Sequence, residues 1–335
     1  MSPRALAGLA ALALAAAVPS APAQLPASGV PDSYILQSHL GTVTDIAFSP
    51  DGSTLAIAST DGRVSLCNVT SRKCALTIRH GEGEVYAVAF SRGGQLIASV
   101  GERAEARVIE SATGALVRRI PLTSYSTAIA FAGGDTLLVG TQDEWLSAFD
   151  ARKGHLIRRW KVGAPVVVLA SAGTGSRLAT GGPLQLWSEI DSVPMSRLRA
   201  PGGLTRVAFS DDGRIACSAH IRGVIYLWDV EHGAITDSLV SVREVSVASA
   251  RGTVRDSVRV PMSAMALGGD GRLMVAGDAR GVVHVAGTGG DTLNLAFLAH
   301  FGSISAMALD PRGRLLATGS SDGTVKVWDF SFRSR

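Results

Sequence analysis

Short runs of alternating apolar and polar residues recur along the chain, each bounded by Gly, Asp, Ser or Pro. The clearest lies at 314–330, RLLATGSSDGTVKVWDF, where two such runs flank Asp322-Gly323 and Trp328-Asp329 closes the second. Alternation with period two about an Asp-Gly turn predicts an antiparallel hairpin. Strand side chains point alternately to two faces, and the turn needs residues that tolerate positive φ. One hairpin cannot bury its apolar faces alone, whereas a ring of repeats can.

The last large apolar residue of each repeat's first run sets the period. These anchors are Phe48, Phe90, Phe131, Leu169, Phe209, Leu267 and Leu309, spaced 42, 41, 38, 40, 58 and 42 residues apart. Turns follow them as SPDG at 49–52, SRGG at 91–94, SDDG at 210–213, GGDG at 268–271 and DPRG at 310–313. A period of about forty residues with four strands per unit predicts an all-β, seven-bladed propeller of four-stranded antiparallel blades. The seventh repeat supplies only three strands between Leu309 and Phe330. A lone strand at 33–38, SYILQS, is expected to join the outer edge of that last blade and close the ring, removing the open ends of the array.

On these residues the chain resembles the Trp-Asp (WD) repeat β-propellers over about 33–330. The resemblance implies a buried hydrogen-bonded set in each blade: a His before the first strand, a Ser or Thr on the second, the turn Asp and the Trp. The seventh repeat carries all of it as His300, Thr318 or Ser320, Asp322 and Trp328. Other repeats depart from it. The first has His39, Ser59 and Asp61 but Cys67-Asn68 in place of Trp-Asp, and the second has His80 with Arg103 and Ile109. The third keeps Asp143 with Phe149-Asp150, and the fourth has Gly181 with Trp187-Ser188. The fifth has Arg222 with Trp228-Asp229, and the sixth Arg280 with Ala286-Gly287.

Composition changes this picture little. Apolar residues make up 46% and charged ones 18%, enough to bury a substantial core. The net charge of +4 is scattered, whereas nucleic-acid binding needs a dense patch, so no nucleic-acid partner is expected. At the N terminus, Arg4, the apolar run Ala5–Val18 and the Ala21-Pro22-Ala23 end read as a secretory signal peptide over 1–23, cut before Gln24. A short linker at 24–32 precedes the propeller at 33–330, and 331–335 form a C-terminal tail. The Ala- and Arg-rich composition points to export into a bacterial periplasm. Cys67 and Cys74 flank one turn, so either a disulfide or two small apolar side chains fits them, and Cys217 is left over.

No catalytic motif stands out: there is no H-E-x-x-H, G-x-S-x-G, Walker loop or EF-hand spacing. His155, His220, His232 and His284 each stand alone in the sequence. Neither a cofactor nor a metal is expected, and the chain reads as a non-enzymatic, monomeric platform for a protein or peptide partner. Three features carry the partner site. Arg103, Arg222 and Arg280 replace the turn Asp on what the resemblance makes the upper rim, where together they would favour an acidic ligand. The long fifth spacing holds an extra hairpin near 243–258 with Arg243, Arg251, Arg255 and Arg259. Trp145, at the start of a strand, is a candidate anchor. The alternatives are a periplasmic propeller hydrolase or lyase with a channel site, and a binder of envelope polyanions or carbohydrate.

Overall fold

A computed structural model describes residues 30–331 apart from 82, 174–176, 182–183, 189–195, 199–202, 241, 250–251 and 289–293. The signal peptide, most of the linker and most of the tail read from the sequence lie outside the described residues.

The alternating runs form seven four-stranded antiparallel sheets and one separate two-stranded hairpin. Each of the first six blades is a meander of four successive strands; blade one, for example, is Val43–Phe48, Thr54–Ser59, Arg63–Asn68 and Lys73–Arg79. Blade seven takes Ile304–Leu309, Leu315–Ser320 and Thr324–Asp329 from the C-terminal end and Ser33–Ser38 from the N-terminal end. Ser33 pairs with Trp328 and Ser38 with Thr324, so the first strand of the chain seals the outer edge of the last blade.

The first strands form the inner ring, each contacting the first strand of the next blade, and blade seven's contacts blade one's. The core sits between successive blades. Trp328 and Leu316 of blade seven pack with Val283, Val285 and Phe297 of blade six, and Val43 and Ile57 of blade one pack with Val325 and Val327 of blade seven. Each fully buried aliphatic side chain contributes roughly 1.5–3 kcal/mol. A blade therefore gains most of its stability from its neighbours.

Hydroxyl side chains near the start of the first strands tie the ring together. Thr44 donates to the Val85 carbonyl (2.6 Å), Thr205 to Met262 (3.0 Å) and Ser263 to Ile304 (2.5 Å), and Ser305 of blade seven donates to Val43 of blade one. These are blade-to-blade links, and the last one closes the circle.

In blade four Leu169 pairs with Thr180 as Met307 pairs with Thr318 in blade seven, so the anchor position of Leu309 is held by Ser171 rather than Leu169. Ser171 is polar and donates to the Phe131 carbonyl (2.7 Å), so a search for a large apolar residue stops two residues early on the same strand face. Cys67 and Cys74 are bonded as a disulfide. A register shift between Leu66 and Cys67 brings them opposite each other, which simple alternation does not foretell.

Candidate functional site

The turns between second and third strands lie on the same face as the loops that lead from one blade to the next. His39 N–H donates to the Gly323 carbonyl (2.7 Å), and His80 N–H to Gly62 (2.9 Å). This is the upper face, and the turns after the first and third strands form the lower face.

Blade seven shows how an upper loop is locked. The Trp328 indole N–H donates to Thr318 Oγ1 (2.9 Å), and the Thr318 hydroxyl donates to His300 Nε2 (2.7 Å). His300 Nδ1 then donates to Asp322 Oδ2 (3.2 Å), an assignment that follows from the network. Burial holds His300 below the usual imidazole range, in keeping with a neutral ring that donates at one nitrogen and accepts at the other. Ser320 Oγ instead accepts the Asp322 N–H (3.1 Å), so Thr318 is the hydroxyl of the set.

The Trp-to-hydroxyl bond outlasts the rest of the pattern. Trp187 donates to Thr180 in blade four (3.0 Å) and Trp228 to Ser218 in blade five (2.8 Å). In blade one Cys67 stands where blade seven has Trp328, and Ile57 where it has Thr318. His39 there keeps only Asp61 (3.2 Å), and its Nε2 is buried without a partner among the described residues.

Two histidines read as solitary from sequence are built into blades. His220 is buried, with Nε2 3.0 Å from Ser218 Oγ. His284 Nε2 lies 3.2 Å from the fully buried Asp278, which also binds Arg280 Nη2 (2.7 Å) and accepts the Val282 N–H (3.1 Å). Burial pushes the Asp278 carboxyl up, but these bonds from His284, Arg280 and the backbone outweigh it and hold it at about 2. Asp278 escaped the sequence reading because it sits at the end of the second strand, two residues before the expected turn position.

The three rim arginines do occupy second-to-third-strand turns on the upper face, but they do not form one patch. Arg222 and Arg280 are on adjacent blades five and six, whereas Arg103 is on blade two, three blades away from either. Arg280 is engaged by Asp278, while Arg222 is exposed. Trp145 is half-buried, its ring covered by Arg159 (4.1 Å to the centroid) and approached by Lys161 (5.5 Å). The inserted hairpin exists as Val242–Ser249 paired with Gly252–Arg259, carrying Arg243 on one strand and Arg255 and Arg259 on the other. Arg251 lies outside the described residues.

Sequence reading missed the most exposed apolar groups. Leu40 and Phe301 follow His39 and His300 in equivalent upper loops of adjacent blades, and they are 90% and 95% exposed. The Phe301 N–H donates to Asp322 Oδ2 (3.2 Å), so the locked set also holds the loop that presents Phe301. Ile221, beside Arg222, is exposed on the same face. The shared His-x-Gly spacing, His39-Leu40-Gly41 and His300-Phe301-Gly302, is the signal that could have found them.

The central channel has two chambers. The upper one, about 200 Å³, is lined by Asp45, Tyr86, Arg206, Met265 and Met307. Burial raises the Asp45 carboxyl to about 6, against the Val88 N–H bond (2.9 Å) and the Arg206 charge. The lower one, about 730 Å³, is lined by Phe48, Phe90, Phe131 and Arg92. No metal-binding cluster of His, Cys, Asp and Glu occurs among the described residues, and no helix there is long and apolar enough to cross a membrane.

The family description "WD domain, G-beta repeat" matches residues 192–229 and 292–329, and the "Anaphase-promoting complex subunit 4 WD40 domain" matches 34–92. Periodic tryptophan protein 2 of Arabidopsis thaliana is 25% identical over 231 residues, covering 64% of this chain and 25% of the relative. Its homolog in Caenorhabditis elegans is 22% identical over 264 residues, covering 73% and 28%. That in Dictyostelium discoideum is 42% identical over 62 residues, covering 18% and 7%. The matches thus span between 7% and 28% of the length of these eukaryotic relatives. Repeat matches and seven closed blades together support a WD-repeat β-propeller.

Proposed function

We propose that the propeller is a non-catalytic, exported interaction platform that holds a protein partner on its upper rim, next to the seam where the ring closes. The observation that carries this reading is the pair Leu40 and Phe301, almost fully exposed on neighbouring loops that are tied to second-to-third-strand turns by the His39 N–H to Gly323 and Phe301 N–H to Asp322 bonds. Rigid, exposed apolar groups bind at low entropic cost, because the loop is ordered before the partner arrives. Arg222 beside Ile221, and the arginines of the inserted hairpin, favour an acidic border on that partner. Export is supported by the N-terminal 1–23 segment and by the Cys67–Cys74 disulfide, a bond that persists in oxidising compartments. The Ala- and Arg-rich composition is what favours a bacterial periplasm as the compartment.

Crosslinking mass spectrometry in native extract tests the reading. Crosslinks are expected on the loops around 39–42, 299–303 and 221–223; crosslinks confined to the lower face would overturn it. An enzymatic role would draw on Asp45, Tyr86, Thr127 and Arg206 in the upper channel; among the described residues Asp45 accepts from the Val88 N–H and the Thr127 hydroxyl donates to the Val167 carbonyl, not to a base.

A further inference from the structure

Between the outer walls of blades one and two lies a groove of about 220 Å³. Ile78 and Leu116 form its apolar sides and His80 its buried base, and Arg79, Arg107 and Arg119 converge on it. The arginines come from three strands: Arg79 ends Lys73–Arg79, Arg107 lies in Glu105–Glu110 and Arg119 in Leu116–Pro121. The turn at Gly114 packs over Ile78, and a Cβ there would stand 3.0 Å from Ile78 Cδ1, so the lower end of the groove is closed by backbone.

Charge is arranged against folding and in favour of a ligand. Arg107 and Arg119 are direct cross-strand partners, an opposition of like charges that weakens a sheet. Arg107 is neutralised by Glu105 (2.7 Å) and donates to the Arg79 carbonyl (3.4 Å). Arg79 and Arg119 have no carboxylate partner among the described residues, and both are exposed. Their aliphatic stems add to the apolar walls while their guanidinium groups remain open for bidentate contact with an anion.

We propose that this groove binds a carboxylate borne on a short apolar group. Its volume admits one residue-sized body, the walls suit an alkyl or aryl group, and the planar fork of Arg119, assisted by Arg79, matches a carboxylate. A peptide ending in an apolar residue and a free alkyl or aryl acid share this chemistry. The site lies on the side wall between blades one and two, its top reaching the His80 loop; neither Leu40 nor Phe301 lines it, so it stands or falls independently of the proposed platform.

The test is calorimetric titration of the purified chain with four probes: 4-phenylbutanoate, its primary amide, a hexapeptide ending in Leu-Phe with a free C terminus, and inorganic phosphate. The acids are expected to bind at least about 10-fold more tightly than the amide, and Arg119→Gln to abolish that preference. The variant should melt at or above the wild-type temperature, since it removes a like-charge pair. Arg222→Gln should leave binding unchanged. Binding of the peptide assigns the site to chain termini, and binding of phenylbutanoate alone assigns it to free acids. Equal binding of acid and amide, phosphate binding as tight as the acids, no binding by either acid, or an unaffected Arg119→Gln variant would overturn the proposal.

Discussion

Trp328 donates its indole N–H to Thr318 over 2.9 Å, and that one hydroxyl joins the core of the last blade to His300 in the upper loop above it. Removing the hydroxyl would leave a buried indole N–H and a buried imidazole nitrogen without partners. Thr318→Ala is therefore expected to cost about 2–4 kcal/mol, and Thr318→Ser to recover most of it. Equilibrium urea unfolding of the two variants checks this; equal losses in both would mean that the methyl group and not the hydroxyl carries the effect.

His300 and His80 are both held below the usual imidazole range, chiefly by burial, which sets the acid response. Because the folded state favours the neutral rings, the unfolded chain binds more protons below about pH 6.5. Their stabilisation is complete above that value and is lost as pH falls through it, at up to about 1.4 kcal/mol per pH unit for each ring. Asp278 behaves differently: its contribution is present above its ordinary range near 4 and is lost as pH falls toward about 2. Unfolding free energies at pH 7 and pH 5 should differ in wild type and differ less in His80→Gln.

Closure depends on Ser33–Ser38 covering the edge at Thr324–Asp329 and on Ser305 reaching the Val43 carbonyl. A chain lacking 33–38 exposes an unpaired strand edge and should melt about 10 °C or more below wild type and self-associate. Ser305→Ala, which loses one link and keeps the edge covered, should keep the association state of wild type with a smaller loss. Size-exclusion chromatography with thermal melting separates the two outcomes.

The Cys67–Cys74 bridge closes a short loop within one blade, so chain entropy limits its contribution to about 2–3 kcal/mol. Reduction should lower stability by that amount without opening the ring, because the bridge joins the third and fourth strands of blade one and not two blades. Circular dichroism with and without dithiothreitol reads this directly.

Deleting 243–258 removes a hairpin whose strands, Val242–Ser249 and Gly252–Arg259, pair with each other and with no other strand among the described residues. The seven blades should remain, with a melting temperature within a few degrees of wild type, because loop closure depends weakly on length. A large drop would show that the hairpin supports blades five and six.

The fold was legible because strand alternation and turn residues are local. The seven repeats, the closing strand at 33–38 and the extra hairpin all follow from them. What failed locally did so for local reasons. Ser171 replaces an apolar anchor, and a register shift at Leu66 places Cys67 against Cys74. The site was less legible because it is assembled by the ring. Only closure sets Leu40 of blade one beside blade seven, which carries Phe301, and only blade order shows that Arg103 is remote from Arg222 and Arg280. His220 and Asp278 look isolated in sequence because their partners, Ser218 and the pair Arg280 and His284, are reached by strand geometry and not by any motif.

The most direct measurement of the platform reading is the Kd of the crosslinked partner for wild type and for Leu40→Ser/Phe301→Ser. Two exposed side chains that touch little of their own fold should be removable without cost to stability. The reading predicts at least about 10-fold weaker binding at an unchanged melting temperature. An unchanged Kd in the double variant would contradict it.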